Sequence, residues 1–540
     1  MMNKIKHFLC IFGLLFPFII NAQTLPFNIL LEPLNIPELD GLQSYAYGQY
    51  DGKWLIIGGR IDGLHRRQPF ASFDIDGNNT QLLVIDPLGQ QKWIAPLTSL
   101  STALQEQLKS SNMEFYQLGD YLYLLGGYGY SPSIEDHTTF NNLTAIDVPA
   151  TINAIIKNTD LTSFFRQIND SLLQVTGGEL RMINNSFYLV GGQKFIGRYN
   201  PMGPEHGPGF LQEYTNQIRK FNIEDNGRSI TINHVSVIID ENNLHRRDYN
   251  LVSQIMPNGQ EGLTAFSGVF QKNLDLPFLN CVNIDSNEYN VNKAFTQYYN
   301  HYHCAVLPLY SASNNVMHSV FFGGIAQYFD DEGILTQDNN VPFVKTIANV
   351  TRDANGKMAE YKLNAEMPAL LGAGSEFIAN ENLAKYPNGV IKLDEIKTDT
   401  TFAGYVFGGI SSTETNIFWI NDGTQSNANS QIYKVFLTKN PTSKFHILNE
   451  QSTGTLKIMH YPVTNDNNLV VKYNLSKTAD VKLSIYELNG KKIEDKIFKN
   501  KSAGENIYKK KIRKNTEKRI YILSIETDYE KAIQKIIIEP

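Results

Sequence analysis

A Gly-Gly pair closes an apolar, strand-like run five times along this chain, and a sixth run of the same kind closes on Ser-Gly. The runs are KWLIIGG (to Gly58-Gly59), YLYLLGG (Gly126-Gly127), SFYLVGG (Gly191-Gly192), GLTAFSG (Ser267-Gly268), MHSVFFGG (Gly323-Gly324) and AGYVFGG (Gly408-Gly409). Self-similarity at intervals of tens of residues predicts a repeat architecture. Five of the runs follow a short turn, at Asp51-Gly52, Gly119-Asp120, Asn184-Asn185, Pro257-Asn258-Gly259 or Asn314-Asn315. Asn and Gly accept the positive φ that tight hairpins need. The unit therefore reads as strand, tight turn, apolar strand, double glycine.

A long polar loop follows each double glycine, and then a third strand. These are TQLLVID (80–86), NLTAID (142–147), NQIRKFNI (216–223), FLNCVNID (278–285), VKTIANV (344–350) and SQIYKVF (430–436). Several units add a turn and a fourth strand, as at QKWIAPL with Trp93. Four antiparallel strands with a double glycine ending the second resemble a kelch repeat, the blade of a β-propeller. The resemblance spans roughly residues 40–440 and implies an all-β fold: a kelch-type β-propeller of six blades. FNILLEPL, within residues 24–40, is placed to complete the last blade, giving a propeller over 24–444.

The two ends read differently. MMNKIKH, the apolar FLCIFGLLFPFII and then NAQ have the order of a secretory signal peptide, residues 1–22, with cleavage after Ala22. No other segment is apolar enough to predict a transmembrane span. From 451 to 540 there are 18 Lys/Arg against 11 Asp/Glu, a net +7. The whole chain is −6, so with the two N-terminal lysines set aside the middle carries −15. Such a split marks a domain boundary. VKLSIYELNGKKI (481–493), AGENIYKKKI (503–512) and RIYILSIETDYEKAIQKIII (519–538) supply about seven short strands, which predicts a small C-terminal β-sandwich. This tail resembles the type A C-terminal sorting domain of the type IX secretion system, through MHYPVTND (459–466), the IYELNGKKI hairpin (485–493) and the final Tyr521-Ile522-Leu523 strand. It departs from that pattern at Tyr461-Pro462-Val463-Thr464 and at Arg519-Ile520, where a glycine is usual. The resemblance implies export through the type IX machinery to the cell surface or medium, and says nothing of what the rest of the chain does.

Composition agrees with export. Charged residues are 19%, aromatic residues 11%, and 28 are Tyr. Two cysteines follow the signal segment. In an oxidising compartment neighbouring units can bring Cys281 and Cys304 together as a disulfide; both can equally be buried thiols. The acidic middle argues against nucleic acid as partner.

Three constellations are candidate ligand sites, because loops carry function on a rigid ring. Leu-His-Arg-Arg occurs twice, at His65-Arg66-Arg67 after the first double glycine and at His245-Arg246-Arg247 opening the fourth unit. Arg presents a planar donor fork suited to carboxylates, and units 1 and 4 would oppose each other in a six-membered ring. YYNHYHC (298–304) puts His301 and His303 on one face of a strand, with Tyr302 and Cys304 opposite. Two His can begin a metal site, but a hydrogen-bonded channel lining fits better, and neither metal nor cofactor is expected. GPEHGPGFLQEY (203–214) brings Glu205 and His206 into a loop. No G-x-S-x-G, H-E-x-x-H, P-loop or C-x-x-C is present. The reading is a secreted or surface-displayed protein that binds a glycan or protein on its loop face. The alternative is an extracellular carbohydrate-active enzyme, such as a sugar epimerase or mutarotase; sialic-acid mutarotases are six-bladed kelch propellers. A deep pocket where Arg, His and Glu converge marks an enzyme, and a broad, shallow, Tyr-rich face marks a binder.

Overall fold

Each apolar run forms the second strand of a four-stranded antiparallel set in the computed structural model, which describes residues 25–207, 209–331, 334–439, 456–460, 468–487, 492–511 and 519–538. The chain separates into two compact units, Met1–Asn440 and Pro441–Pro540. Residues 1–22, the junction between units, Tyr461-Pro462-Val463-Thr464 and the Asn489-Gly490 turn lie outside the described residues.

The first strand of each set in the larger unit is, in order, Ala46–Tyr50, Ser111–Leu118, Thr176–Ile183, Asn250–Ile255, Val306–Ser311 and Leu370–Ala379. The expected third strands are present, from Gln81–Asp86 to Ile432–Lys439. The second and third sets are joined into one ten-stranded sheet where the end of the strand Ser186–Ile196 meets the short strand Asp136–Thr139, at Ile196 and Thr138. The double glycines therefore do not end every second strand. In the second, third and sixth sets the strand continues through them, as Tyr121–Ser131, Ser186–Ile196 and Thr400–Ser412.

What the double glycines do is turn the backbone at a seam. Their φ values are positive in all five pairs, and Ser267 takes φ 49 in the fourth unit, so the odd unit keeps the geometry of the others. The second glycine of each pair donates its N–H to the set that follows: Gly59 to Ser110, Gly127 to Val175, Gly192 to Arg246, Gly268 to His301, Gly324 to Leu371 and Gly409 to Leu42. The last of these returns from the sixth set to the first. A Cβ on Gly191 would lie 2.6 Å from the Arg246 carbonyl oxygen, so the first glycine is needed for this close approach.

The core follows the same pattern. Six buried clusters lie between successive sets: for example, Leu55, Val84, Leu122 and Leu124 between the first two, and Trp54, Ile85, Phe407 and Ile432 between the last and the first. Phe27–Leu34 pairs antiparallel along its full length with Ile432–Lys439, as the outer strand of the sixth set. Two short helices, Thr102–Leu108 capped by Ser101 and Val148–Lys157 capped by Asp147, pack into the cluster between the first two sets.

The smaller unit holds seven described strands in a three-stranded and a four-stranded sheet. Ala479–Glu487 and Lys492–Lys501 pair antiparallel as the flanks of the expected hairpin. Leu469, Val471, Leu483, Ile485, Leu523 and Ile525 belong to its core. No helix among the described residues is long and apolar enough to cross a membrane.

Candidate functional site

One residue in or just before the first strand of each set lines a shared cavity: Ser44, Asn112, Gly177, Asp248, His303 and Gly374. Backbone hydrogen bonds link them in sequence. Asn112 donates to Ser44, Asp248 to Gly177, His303 to Asp248, Gly374 to His303 and Ser44 to Gly374. The remaining link is made by the Thr176 hydroxyl, which donates to the Asn112 carbonyl at 3.1 Å. All six residues line a cavity of about 470 Å3 on the side of the long loops, within the ~300–1,000 Å3 usual for small-molecule sites. The residue directly after the double glycine enters the same cavity in five units: Arg60, Tyr128, Gln193, Ile325 and Ile410.

The two Leu-His-Arg-Arg copies meet here, and the same position of each does so. Arg67 and Arg247 both line the cavity. Arg67 lies with its guanidinium 4.5 Å from the centre of the Trp419 ring, and no carboxylate pairs with it among the described residues. Arg247 pairs with Asp248 and donates from Nε to the Tyr214 hydroxyl at 3.0 Å. His65 stacks against Phe73 and meets Tyr199 edge-on. Burial, with Arg247 and Arg60 adding to it, brings the His65 pKa down to about 4, and its buried Nδ1 has no hydrogen-bond partner among the described residues.

The other candidates lie elsewhere. Arg66 points outward against Gly423. Arg246 is 1% exposed and ties its own set together: Nε donates to the Asn243 carbonyl at 2.6 Å, NH1 to the carbonyls of Ser267 and Asn280, and NH2 to the Asn280 side chain. His245 stacks on Tyr214 with ring centres 3.7 Å apart and bonds Asn216. Glu205 and His206 are exposed on a short turn and do not line the cavity.

Residues 299–305 correct the expected alternation. They form no strand, which begins only at Val306, so the period of two does not apply. His301 is fully buried, its Nδ1 accepting from Gln327 N–H at 2.9 Å and its Nε2 bonding the Gln297 carbonyl at 3.0 Å. Burial lowers its pKa to about 4, so it is a neutral internal tie. His303 and Tyr302, expected on opposite faces, both line the cavity. The disulfide is corrected as well. Cys281 and Cys304 are free and buried in one apolar cluster. Cys281 Sγ lies 3.6 Å from Met358 Sδ, and Cys304 Sγ accepts from Asn250. Burial pushes both thiols up to about 12.

His303 forms the cavity floor, and behind it lies a charged cluster that sequence reasoning missed. Its Nε2 is 3.0 Å from Glu376 and 3.9 Å from Glu179, and Glu179 is 2.9 Å from Arg181. Burial opposes charge on His303, but Glu376 and then Glu179 hold its pKa up at about 9. Its Nδ1 has no protein partner among the described residues. Glu114, Glu179 and Glu376 stand two residues beyond Asn112, Gly177 and Gly374; that recurring carboxylate was the signal available in the sequence. Among the described residues no three His, Cys, Asp or Glu side chains are grouped to hold a metal ion.

No known family model matches the chain, and no curated protein is similar to it. Solved structures with a similar course include that of YjhT (10% identity, 73% of this chain and 100% of that one, TM-score 0.39). Others are a fungal alcohol oxidase of the AA5 family in complex with copper (8%, 95% and 99%, TM-score 0.37) and RAG in complex with one melted and one unmelted RSS (11%, 76% and 99%, TM-score 0.35). Likeness at these TM-scores carries nothing about what this chain binds.

Proposed function

We propose that the larger unit is a six-bladed kelch-type propeller whose loop-face cavity binds a small acidic sugar, displayed on or released from the cell. The ring of six sets is supported by the seam bonds that run from each set to the next and back to the first. The observation that carries the ligand is Arg67, a cavity-lining cation with no acid partner among the described residues, in a cavity also lined by Arg247, His303 and several aromatic rings. Stacking rings suit the apolar face of a sugar, and a guanidinium fork suits its carboxylate. Positive groups inside an acidic domain favour a small anion over a polyanion. Titrating the full chain with D-glucuronate and D-glucose tests this: the acid should bind and Arg67→Ala should weaken it at least tenfold, while equal binding of the neutral sugar would refute the reading.

A second reading is favoured by the floor of the cavity. An imidazole oriented by Glu376, in a cavity also lined by Arg67 and Arg247, is the combination expected of a sugar-isomerising enzyme. His303 would then donate or accept a proton at Nδ1. Nuclear magnetic resonance of anomer exchange in the bound sugar separates the two: acceleration lost in His303→Gln favours the enzyme, and an unchanged exchange rate favours the binder.

The smaller unit is proposed as the export address. Support comes from its seven strands, its basic charge and its own core. Deleting residues 451–540 should trap a folded larger unit in the periplasm; release into the medium would refute this.

A further inference from the structure

The centre of the larger unit has a second mouth. Beyond His303, Glu179 and Glu376, on the side away from the long loops, lies a cavity of about 500 Å3. The sixth unit treats this mouth differently from the other five. Where those make short turns, the sixth inserts residues 380–399 between Leu370–Ala379 and Thr400–Ser412. Connections this long are commonly functional. At one end of the insertion Glu381 accepts from the Gly52 N–H at 2.6 Å, in the first set. Further along, Asn388 donates to the Gln254 carbonyl at 3.0 Å in the fourth set, and Ile391–Lys392 pairs in parallel with Leu309–Tyr310 in the fifth. The segment thus spans the opening, held on both sides.

This roof carries Lys385 into the cavity. The lysine is half-buried, and no carboxylate lies within 4 Å of its ammonium among the described residues. Burial pulls its pKa down, which Glu381 only partly offsets. Of the other charges lining the cavity, Glu179 pairs with Arg181 and Glu376 with His303, while Glu381 accepts from the Gly52 N–H and acts on Lys385 only from beyond ion-pair distance. Two hydroxyls lining the same space, on Tyr116 and Ser253, have no hydrogen-bond partner among the described residues. A cation with no carboxylate within 4 Å among the described residues and two open hydroxyls in a roofed polar cavity define a complementary ligand. We propose that this far mouth is a second binding site, for a small hydroxylated ligand bearing a carboxylate or phosphate, with its anionic group on Lys385 and its hydroxyls on Tyr116 and Ser253. The site stands apart from the loop-face reading.

The test uses the full chain and four probes: D-glucuronate, inorganic phosphate, D-glucose and N-acetyl-D-glucosamine. Lys385 acylation by an amine-reactive reagent, followed by peptide mass spectrometry, should slow at least fivefold with glucuronate or phosphate and not with the other two. In the Arg67→Ala protein, from which the loop-face contribution is removed, calorimetry should still show anion binding, and adding Lys385→Met should weaken that remaining binding at least tenfold. Protection by glucuronate alone identifies a sugar acid, and by phosphate alone a phosphorylated ligand. Equal protection by glucose or N-acetylglucosamine, or no protection by any probe, overturns the proposal. Binding lost in Arg67→Ala but kept in Lys385→Met would leave the loop-face reading standing and refute this one; the reverse would do the opposite.

Discussion

Arg66 and Arg67, and Arg246 and Arg247, show how differently adjacent identical side chains can be used. Arg246 is enclosed by carbonyls and stacked on Phe278 at 3.9 Å, whereas Arg67 rests on an exposed indole with no acid paired to it among the described residues. Arg246→Ala strands the carbonyls of Ser267 and Asn280, so it should cost about 3 kcal/mol in urea denaturation. Arg67→Ala should cost less than about 1 kcal/mol and act on ligand binding instead. The histidines give a pH signature. His301 and His318 are both held at about 4 by burial, below the ordinary 6.5. The folded state binds fewer protons there, so stability should fall as pH drops from about 6.5 towards 4, by up to about 3 kcal/mol for each. His303 has the opposite sign. Its pKa is raised to about 9, so its contribution is complete below 6.5 and is lost as pH rises through 9. His303→Gln should flatten the alkaline limb of a melting-temperature profile and leave the acid limb in place.

At the scale of the element, the seam glycines separate conformational from steric demand. Gly119 and Gly126 share φ 59, but a Cβ on Gly119 would meet nothing within 4 Å, whereas one on Gly126 would fall inside the Val175 carbonyl. Gly119→Ala should cost about 1 kcal/mol, the penalty of left-handed backbone alone. Gly126→Ala must also push neighbouring sets away from each other, and should lose several-fold more in urea denaturation or soluble yield. Equal losses would mean that the seam is not what the glycines serve. Ser267→Gly should be nearly neutral, trading relief at φ 49 for the hydrogen bond from the Ser267 hydroxyl to Phe278. These positions were legible in the sequence because few residues other than Gly tolerate both demands. The strands were legible for a similar reason, since a period of two and a turn residue leave little choice. The candidate site was less legible. Repetition of Leu-His-Arg-Arg drew attention to Arg67 and Arg247, but nothing local told them from Arg66 and Arg246. In a loop no period fixes which way a side chain points, and the YYNHYHC segment failed as a strand for that reason. Glu179, Arg181 and Glu376 escaped notice because charges alternating along a strand read as a solvent-facing edge, and here that edge faces the centre.

For the whole molecule, the two units have separate cores, so removal of residues 451–540 should leave the melting temperature of the larger unit within about 2 °C. Removal of Phe27–Leu34 should do the reverse. Phe27, Ile29 and Leu34 are each buried, and at roughly 1.5–3 kcal/mol apiece their loss should cost at least about 5 kcal/mol and leave Ile432–Lys439 as a bare edge. Differential scanning calorimetry of the two truncations distinguishes these outcomes. That outer strand also imposes a chronology. It pairs with residues about 400 positions further along the chain, so of the described strands in the larger unit the earliest in sequence has to wait for the latest. A ribosome, or a pore passing the chain N-terminus first, delivers a segment that must wait for almost the entire unit before it can dock. While it waits it is an apolar strand looking for an edge, and Glu32 and Pro33 near its end are the kinds of residue that discourage wrong pairings. Completion of the sixth set is therefore timed by the emergence of Ile432–Lys439.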